Sequence, residues 1–476
     1  MRSVGPRGEA ELTASPGARG AGWLALAAGY GLMLWQNLPG HLSVDSIIEL
    51  HEGRFHVRET WGPAIFPFIL GIFDRIAPGT ALYLIVSALL LYGAWALLPR
   101  LAGRASWWFP LAALGAVLTP NILIYQGIVW HDVLFADTAT AGFLCLAFAG
   151  RDWQGSRRPW IRLAVAVLFL AVAGLLRQNG IVILAPAAAA VAWMARAGGW
   201  RRAAAWGAGW LLAAVAVTAV LSVTALPQGP TFEKADAQGL RVLEVYDLAG
   251  GLARDPALPL PHIARDDPAT AAALRATAPQ FYSPQRVDFI DEVEKLNHRL
   301  ARIPSKALFG DWLDMVLHRP DLYLAHRWEV FRWVFATPVI DRCLPVYLGI
   351  DGPPQEMEEL GLEKVWGERD QRLYNYSTWF YDTPVMSHVA YAVLALVLFG
   401  VFVFRRRPVD GALAAMQAAG LIFAASFFPV SLACDYRYLY FLDVAALTGV
   451  LYFAADPRLR GPDRRAPPAT RGRGAV

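Results

Sequence analysis

Cysteine is scarce in this chain of 476 residues, occurring only as Cys145, Cys343 and Cys434. Three cysteines exclude a disulfide-dense scaffold and a multi-cysteine metal cluster. Cys343 and Cys434 could pair if they share a compartment, although inert thiols are the simpler reading. Charge is scarce too: Asp, Glu, Lys and Arg make up 17 % of the residues, against about 25 % in soluble domains. No internal repeat stands out, and the long polar segment in the second half shows no regular strand alternation. A water-soluble β-rich protein is therefore not the reading to pursue.

What the chain has instead is apolar sequence, 56 % of its residues by composition. The apolar residues fall into runs of roughly 18–22, the length that crosses a hydrocarbon core of about 30 Å. Ten spans are expected, near 21–39, 79–98, 107–125, 133–150, 161–176, 178–195, 203–225, 386–404, 410–430 and 437–455. The expected fold class is all-α: a polytopic membrane protein with interfacial helices in its first outer loop and a large, mainly helical extracytoplasmic loop. The first span ends in "MLWQNLPGHL" without a small-residue cleavage site, so a retained anchor is favoured over a signal peptide.

The distribution of arginine sets the orientation, because cytoplasmic loops collect Lys and Arg. Arg100 and Arg104, Arg151, Arg157 and Arg158, Arg196, Arg201 and Arg202, and Arg405 to Arg407 fall in one alternating set of connections. The tail from Arg458 to Arg473 belongs to the same set, and the N-terminal arginines join it only if the short apolar stretch Pro63–Ala77 lies along the interface. Both termini are then expected in the cytoplasm. This divides the chain into an N-terminal tail (1–20), a membrane module (21–226) with a first outer loop (40–78), and a large outer loop (227–385). Closing spans (386–455) and a basic tail expected to be disordered (456–476) complete it. Within the large loop, 283–304 reads as one amphipathic helix and 305–335 as two, broken at Pro320.

The opposite face collects polar residues at span ends, where desolvation is unfavourable without a partner. The first outer loop, "HLSVDSIIELHEGRFHVRETWGPAIFPF" (41–68), is dense in acids and histidines. Asp45 stands near the start of a short helix that Ser43 or Asp45 itself could cap. Glu49, Glu52 and Glu59 read as solvated charge. "WHDV" (130–133) sets His131 and Asp132 at the mouth of a span, although neighbours on one helix diverge by about 100°. A capping role for Asp132 and an interfacial anchor role for Trp130 are the alternatives. "LLRQNG" offers Arg177, and "CDYRYLYF" offers Arg437 between Tyr436 and Tyr438. Forked guanidinium donors suit phosphate, and both arginines break the orientation rule, which strengthens that reading over snorkelling. His318, Arg319, His326 and Arg327 in the large loop are further candidates for the same cavity.

An acidic first outer loop with interfacial helices, a second acidic spot at His131-Asp132, a large outer loop and a closing "RY" at Arg437-Tyr438 resemble the GT-C class of membrane glycosyltransferases. That class contains the protein O-mannosyltransferases and the lipid A aminoarabinose transferases. The resemblance covers the architecture of the whole chain, and no long motif narrows it to a subfamily. It implies transfer of a sugar from a polyprenyl-phosphate donor to an acceptor hydroxyl on a lipid, glycan or protein. Asp45 would be the base, with Asp132 and His131 assisting. Arg177 and Arg437 would contact the donor phosphate, and Tyr436, Tyr438, His326 and Arg327 would line the substrate. A divalent cation, Mg or Mn, held by Asp45 and Asp132 is left open. Alanine and arginine abundance suits a bacterial inner membrane, with the site facing the periplasm. Membrane lipids are expected partners and nucleic acid is not. The rival readings are a transporter or flippase of a lipid-linked or anionic solute, and a polysaccharide polymerase or ligase. A transporter would place polar residues in mid-span and break helices in matched halves.

Overall fold

The computed structural model of the chain describes residues 16–60, 62–153, 159–226, 235–288, 293–407 and 409–459. Trp61, Arg157, Arg158, the arginines of the first fifteen residues and the tail from residue 460 lie outside the described residues. The chain is 78 % helical with no strands among the described residues, as the composition and the missing alternation lead one to expect.

The N-terminal half runs through α1 (Pro16–Asn37), α2 (Val44–Phe55), α3 (Ile65–Ile76), α4 (Ala81–Ala102), α5 (Trp108–Val117), α6 (His131–Asp152), α7 (Trp160–Leu176), α8 (Leu184–Ala195) and α9 (Trp200–Thr224). In the large loop the principal helices are α10 (Ala235–Arg254), α11 (Ser305–His318) and α12 (Pro320–Ala336). The chain closes with α13 (His388–Arg405), α14 (Asp410–Val430) and α15 (Tyr440–Ala455).

Seven helical segments among the described residues are long and apolar enough to cross a membrane, with α8 counted as part of Gly180–Gly198 and α15 as part of Tyr436–Ala455, or eight if one bent pair counts as a span. The bent pair is α5 followed by Pro120–Gly127, turned by 66°. Pro120 lacks a backbone donor and holds Thr119 extended (φ −69°, ψ 145°), so a straight helix cannot continue through 107–125. Two expected spans fall outside the set. α7 is apolar but only 17 residues long, and the glycines, tryptophans and terminal Gln-Asn of α1 dilute its hydropathy. The helix α6 lies at the centre and is buried along most of its length, whereas α9 is largely exposed at the periphery.

The segment after α1 folds as a helical hairpin, α2 packed on α3. Their backbones touch at Gly53 and Gly71, where a Cβ on Gly71 would lie 2.3 Å from the Gly53 carbonyl. Arg54 clamps the pair with a two-pronged bond to Asp74 (2.8 and 2.7 Å). At 12 residues, α3 is too short to span, in keeping with an interfacial position for Pro63–Ala77.

The large loop has its own core, formed by Tyr246, Leu252, Leu274, Leu308, Met315 and Val330 among others. The break at Pro320 falls where expected, between α11 and α12. The single helix expected over 283–304 does not form as such. Residues 283–287 are non-helical because Gln285 and Val287 pair their backbones with Cys434 and Leu432, and the described helix there is Glu294–Leu300. Isolated bridges join His41 to Ile128, Leu42 to Ile350 and Arg286 to Ala433, tying together four connections that are distant in sequence.

Candidate functional site

That meeting begins at the N-terminus of α2. Ser46 Oγ accepts from the Ser43 backbone N–H (3.2 Å) and donates to the Val129 carbonyl (2.6 Å). Trp130 Nε1 donates to Ser43 Oγ (2.9 Å). The first turn of α2 is thus fastened to the two residues that precede His131. His41 secures the approach: its Nδ1 accepts from the Gly349 N–H (3.0 Å) and its Nε2 donates to Asn37 Oδ1 (3.0 Å). Burial pushes the His41 imidazole down to about 4, so it stays neutral and structural.

With α2 held this way, Asp45 and Glu49, four residues apart on one helix face, both address the start of α6. Glu49 Oε1 lies 2.9 Å from His131 Nδ1, and His131 Nε2 lies 2.9 Å from Arg177 Nη1. Arginine can only donate, so His131 carries its proton on Nδ1 and gives it to Glu49. Arg177 Nη1 is also 2.9 Å from Asp132 Oδ1. The guanidinium of Arg177 packs over the rings of Tyr438 (4.8 Å) and Phe427 (5.4 Å).

Arg437 completes the cluster from the short turn Tyr436–Leu439. Its Nη2 donates to Asp45 Oδ2 at 2.5 Å and to Asp435 Oδ2 at 3.3 Å, its Nε is 3.8 Å from Asp132 Oδ2, and it lies over Trp130 at 4.7 Å. Asp435 in turn accepts from Arg286 of the large loop (2.7 Å). Asp45 is 47 % exposed at the side chain while Asp132 is 2 % exposed. The reachable carboxylate is therefore Asp45. The Arg437 charge holds the Asp45 carboxyl below its usual range, against the opposing effect of burial. Burial pushes Glu49 up.

Several polar atoms here are left over. Oε2 of Glu49 and Nε and Nη1 of Arg437 are buried without a hydrogen-bond partner among the described residues, while the Asp132 oxygens are held by ion pairs alone. Buried polar groups are ordinarily bonded, so orphans concentrated in one cluster mark a place for a polar ligand. The residues do not fit a divalent cation shared by Asp45 and Asp132. The Arg437 guanidinium already stands between those two carboxylates, occupying the position a bridging ion would take.

Of the residues expected at the site, Asp45, His131, Asp132, Arg177, Arg437 and Tyr438 come together. Three do not. Tyr436 points the other way from its turn: it is fully buried, stacks on His388 at 4.0 Å and donates to Asp443 (3.0 Å). His326 and Arg327 are fully buried inside the large loop, where both contact Asp247 Oδ1 (2.9 and 2.5 Å). Arg327 also donates to the Ser431 carbonyl (2.9 Å), holding the loop onto the end of α14. Arg319 pairs with Asp255 and Asp321 and His318 lies exposed beside Asp314, so neither faces the cluster.

Two glutamates expected in solvent are buried. Glu49 joins the site, and Glu52 caps the following loop by accepting from the backbones of Glu59 (2.6 Å) and Thr60 (2.7 Å). Glu59 is exposed as expected. The sequence signal for Glu49 was present in its one-turn spacing from Asp45. Nothing local to Asp435 or Arg286 could have announced their pairing. No protein-family model, curated protein or solved structure matches the chain.

Proposed function

We propose that the chain is an integral-membrane glycosyltransferase, moving a sugar from a polyprenyl-phosphate donor to an acceptor hydroxyl on the extracytoplasmic face of a bacterial inner membrane. In this reading ten segments cross, with α1 and α7 among them, and both termini lie in the cytoplasm. One observation carries it: a reachable carboxylate, Asp45, converges with two guanidinia, Arg177 and Arg437, and the unpartnered Nε and Nη1 of Arg437 suit an anion.

The chemistry follows from those roles. The acceptor hydroxyl gives its proton to Asp45 as its oxygen attacks the anomeric carbon, and the carbon–oxygen bond to phosphate breaks. Negative charge grows on the departing phosphate, where Nε and Nη1 of Arg437 and the guanidinium of Arg177 neutralise it. A phosphate on Arg437 competes with Asp45 for the same cation, loosening the ion pair and making Asp45 a stronger base once the donor is seated. Glu49 and Arg177 hold His131 in one tautomer, and His131 with Asp132 keeps Arg177 in place. No step here runs through a metal.

The test is transfer by the purified protein from labelled polyprenyl-phosphate sugars, with Asp45→Asn alongside. Undiminished transfer by Asp45→Asn removes Asp45 from the base role, and no transfer from any such donor by the wild type removes the enzyme reading. A transporter or flippase is the second reading, favoured by Asp137 and by the 66° bend after α5. Asp137 is fully buried in α6, where it accepts from Gln126 (2.8 Å) and Ser87 (2.9 Å). Movement of intact donor across proteoliposomes without sugar transfer would select it.

A further inference from the structure

We infer that Cys343 and Cys434 form a disulfide in the mature protein, fastening the large loop to the segment that presents Asp435 and Arg437. The two cysteines lie on connections separated by α13 and α14, two membrane-length helices apart, so they face the same side of a membrane. Both are fully buried free thiols that pack together with Trp333. Cys434 also points its thiol at the Arg342 carbonyl (3.3 Å), the residue preceding Cys343. The third cysteine, Cys145, sits in α6 away from this pair.

The surroundings explain what such a bridge would do. Residues 431–435 are the hinge on which Arg437 hangs, and the large loop grips them at four points. Arg327 bonds the Ser431 carbonyl, Val287 bonds Leu432, Cys434 bonds Gln285, and Arg286 bonds Asp435. Every one of these is non-covalent and breaks if the loop lifts. A bond between Sγ of Cys343 and Sγ of Cys434 would hold the hinge at the residue next to Asp435. Both thiols are fully buried, out of reach of an oxidant once the protein has folded. The bridge therefore forms before the loop closes, during folding.

The reaction needs an oxidant, and a dithiol–disulfide oxidoreductase of the extracytoplasmic compartment is the class required. Two thiols lose two protons and two electrons, one S–S bond forms, and the oxidant's own disulfide is reduced to a dithiol. The inference rests on the extracytoplasmic orientation proposed above, but its readout does not depend on sugar transfer.

The full chain is lysed from its membrane in N-ethylmaleimide without reductant, denatured, digested and analysed by mass spectrometry. The expected result is a linked pair of peptides containing Cys343 and Cys434, lighter by two hydrogens than the sum, with Cys145 alkylated. Alkylation of both Cys343 and Cys434 overturns the bridge. In that case, labelling of Asp45→Cys in a background lacking the three native cysteines tells whether the orientation fails with it. Labelling from the outer side keeps the orientation and confines the failure to the bridge. A Cys343→Ser variant that leaves Cys434 alkylatable controls for a bridge formed by scrambling, since linkage of Cys434 to Cys145 there would also overturn the assignment.

Discussion

Arg437 donates to the carboxylate of Asp45 at 2.5 Å although the two are 392 positions apart in the chain. One comes from the hairpin after α1 and the other from the turn that starts the last helix, so the pair closes the bundle on itself. Around it stand Asp132, Arg177, His131 and Glu49, each held by another member of the group.

Removing the carboxylate at the mouth should separate chemistry from binding. Asp45→Asn is expected to lower the rate of sugar transfer about 100-fold or more while leaving donor affinity within a few-fold of wild type. Steady-state kinetics with titrated donor check it. A rise in KM without a fall in kcat would instead make Asp45 a donor-binding group.

Loss of the forked donor should act on the phosphate. Arg437→Lys keeps one charge but discards Nε and the second prong, and transfer is expected to fall roughly 100-fold. Binding of a non-transferable polyprenyl phosphate, measured by calorimetry, should weaken in parallel. Unaltered phosphate binding would refute the assignment.

The acid limb of activity should belong to Glu49. Its carboxyl is pushed up by burial, so it protonates at a pH above the ordinary glutamate range, while Asp45 is held down by Arg437 and remains ionised there. As pH falls, the Glu49–His131 contact is therefore lost first and activity drops with it; Asp45 protonates only below the usual carboxylate range. Glu49→Gln should lower activity at neutral pH and remove that first limb from the pH profile. A profile with the limb unmoved would tie it to another group.

Because Arg437 occupies the place between Asp45 and Asp132, activity should survive exhaustive treatment with EDTA. Full loss with EDTA, restored by Mg or Mn, would show that the cluster reorganises around an ion.

Packing of the outer hairpin should be intolerant of a single methyl. Gly71→Ala places a Cβ against the Gly53 carbonyl, with backbone on both sides and no flexible side chain to yield. A loss of about 1–3 kcal/mol is expected, read as a lower Tm and as reduced transfer, since α2 carries Asp45 and Glu49. An unchanged Tm would mean that α2 and α3 separate freely.

Much of the charged cluster is legible in the sequence, for a definite reason. Charges at the ends of apolar runs are unfavourable to bury, so Asp45, Asp132, Arg177 and Arg437 stand out against a chain with little charge elsewhere. The misses were of two kinds. Glu49 and Glu52 looked like solvated members of an interfacial helix, because a local reading cannot see His131 or the 59–60 loop arriving above them. Tyr436 and Tyr438 flank the same arginine, yet only Tyr438 faces Arg177. The direction of each ring is set by the turn and by Asp443 and His388 packed behind it.

From composition and periodicity alone come the helical class, the membrane-length apolar runs, the break at Pro320 and the placement of α3 as too short to span. These are local properties: hydrophobic length, proline's missing donor and the spacing of side chains on one helix. Tertiary structure alone decided which charges meet, that the guanidinium of Arg437 lies between Asp45 and Asp132, and that His326 and Arg327 anchor the large loop instead of lining the site. Those outcomes depend on side chains hundreds of positions apart. Each buried charge must find its partner in the packed bundle, and no local pattern records which partner that is.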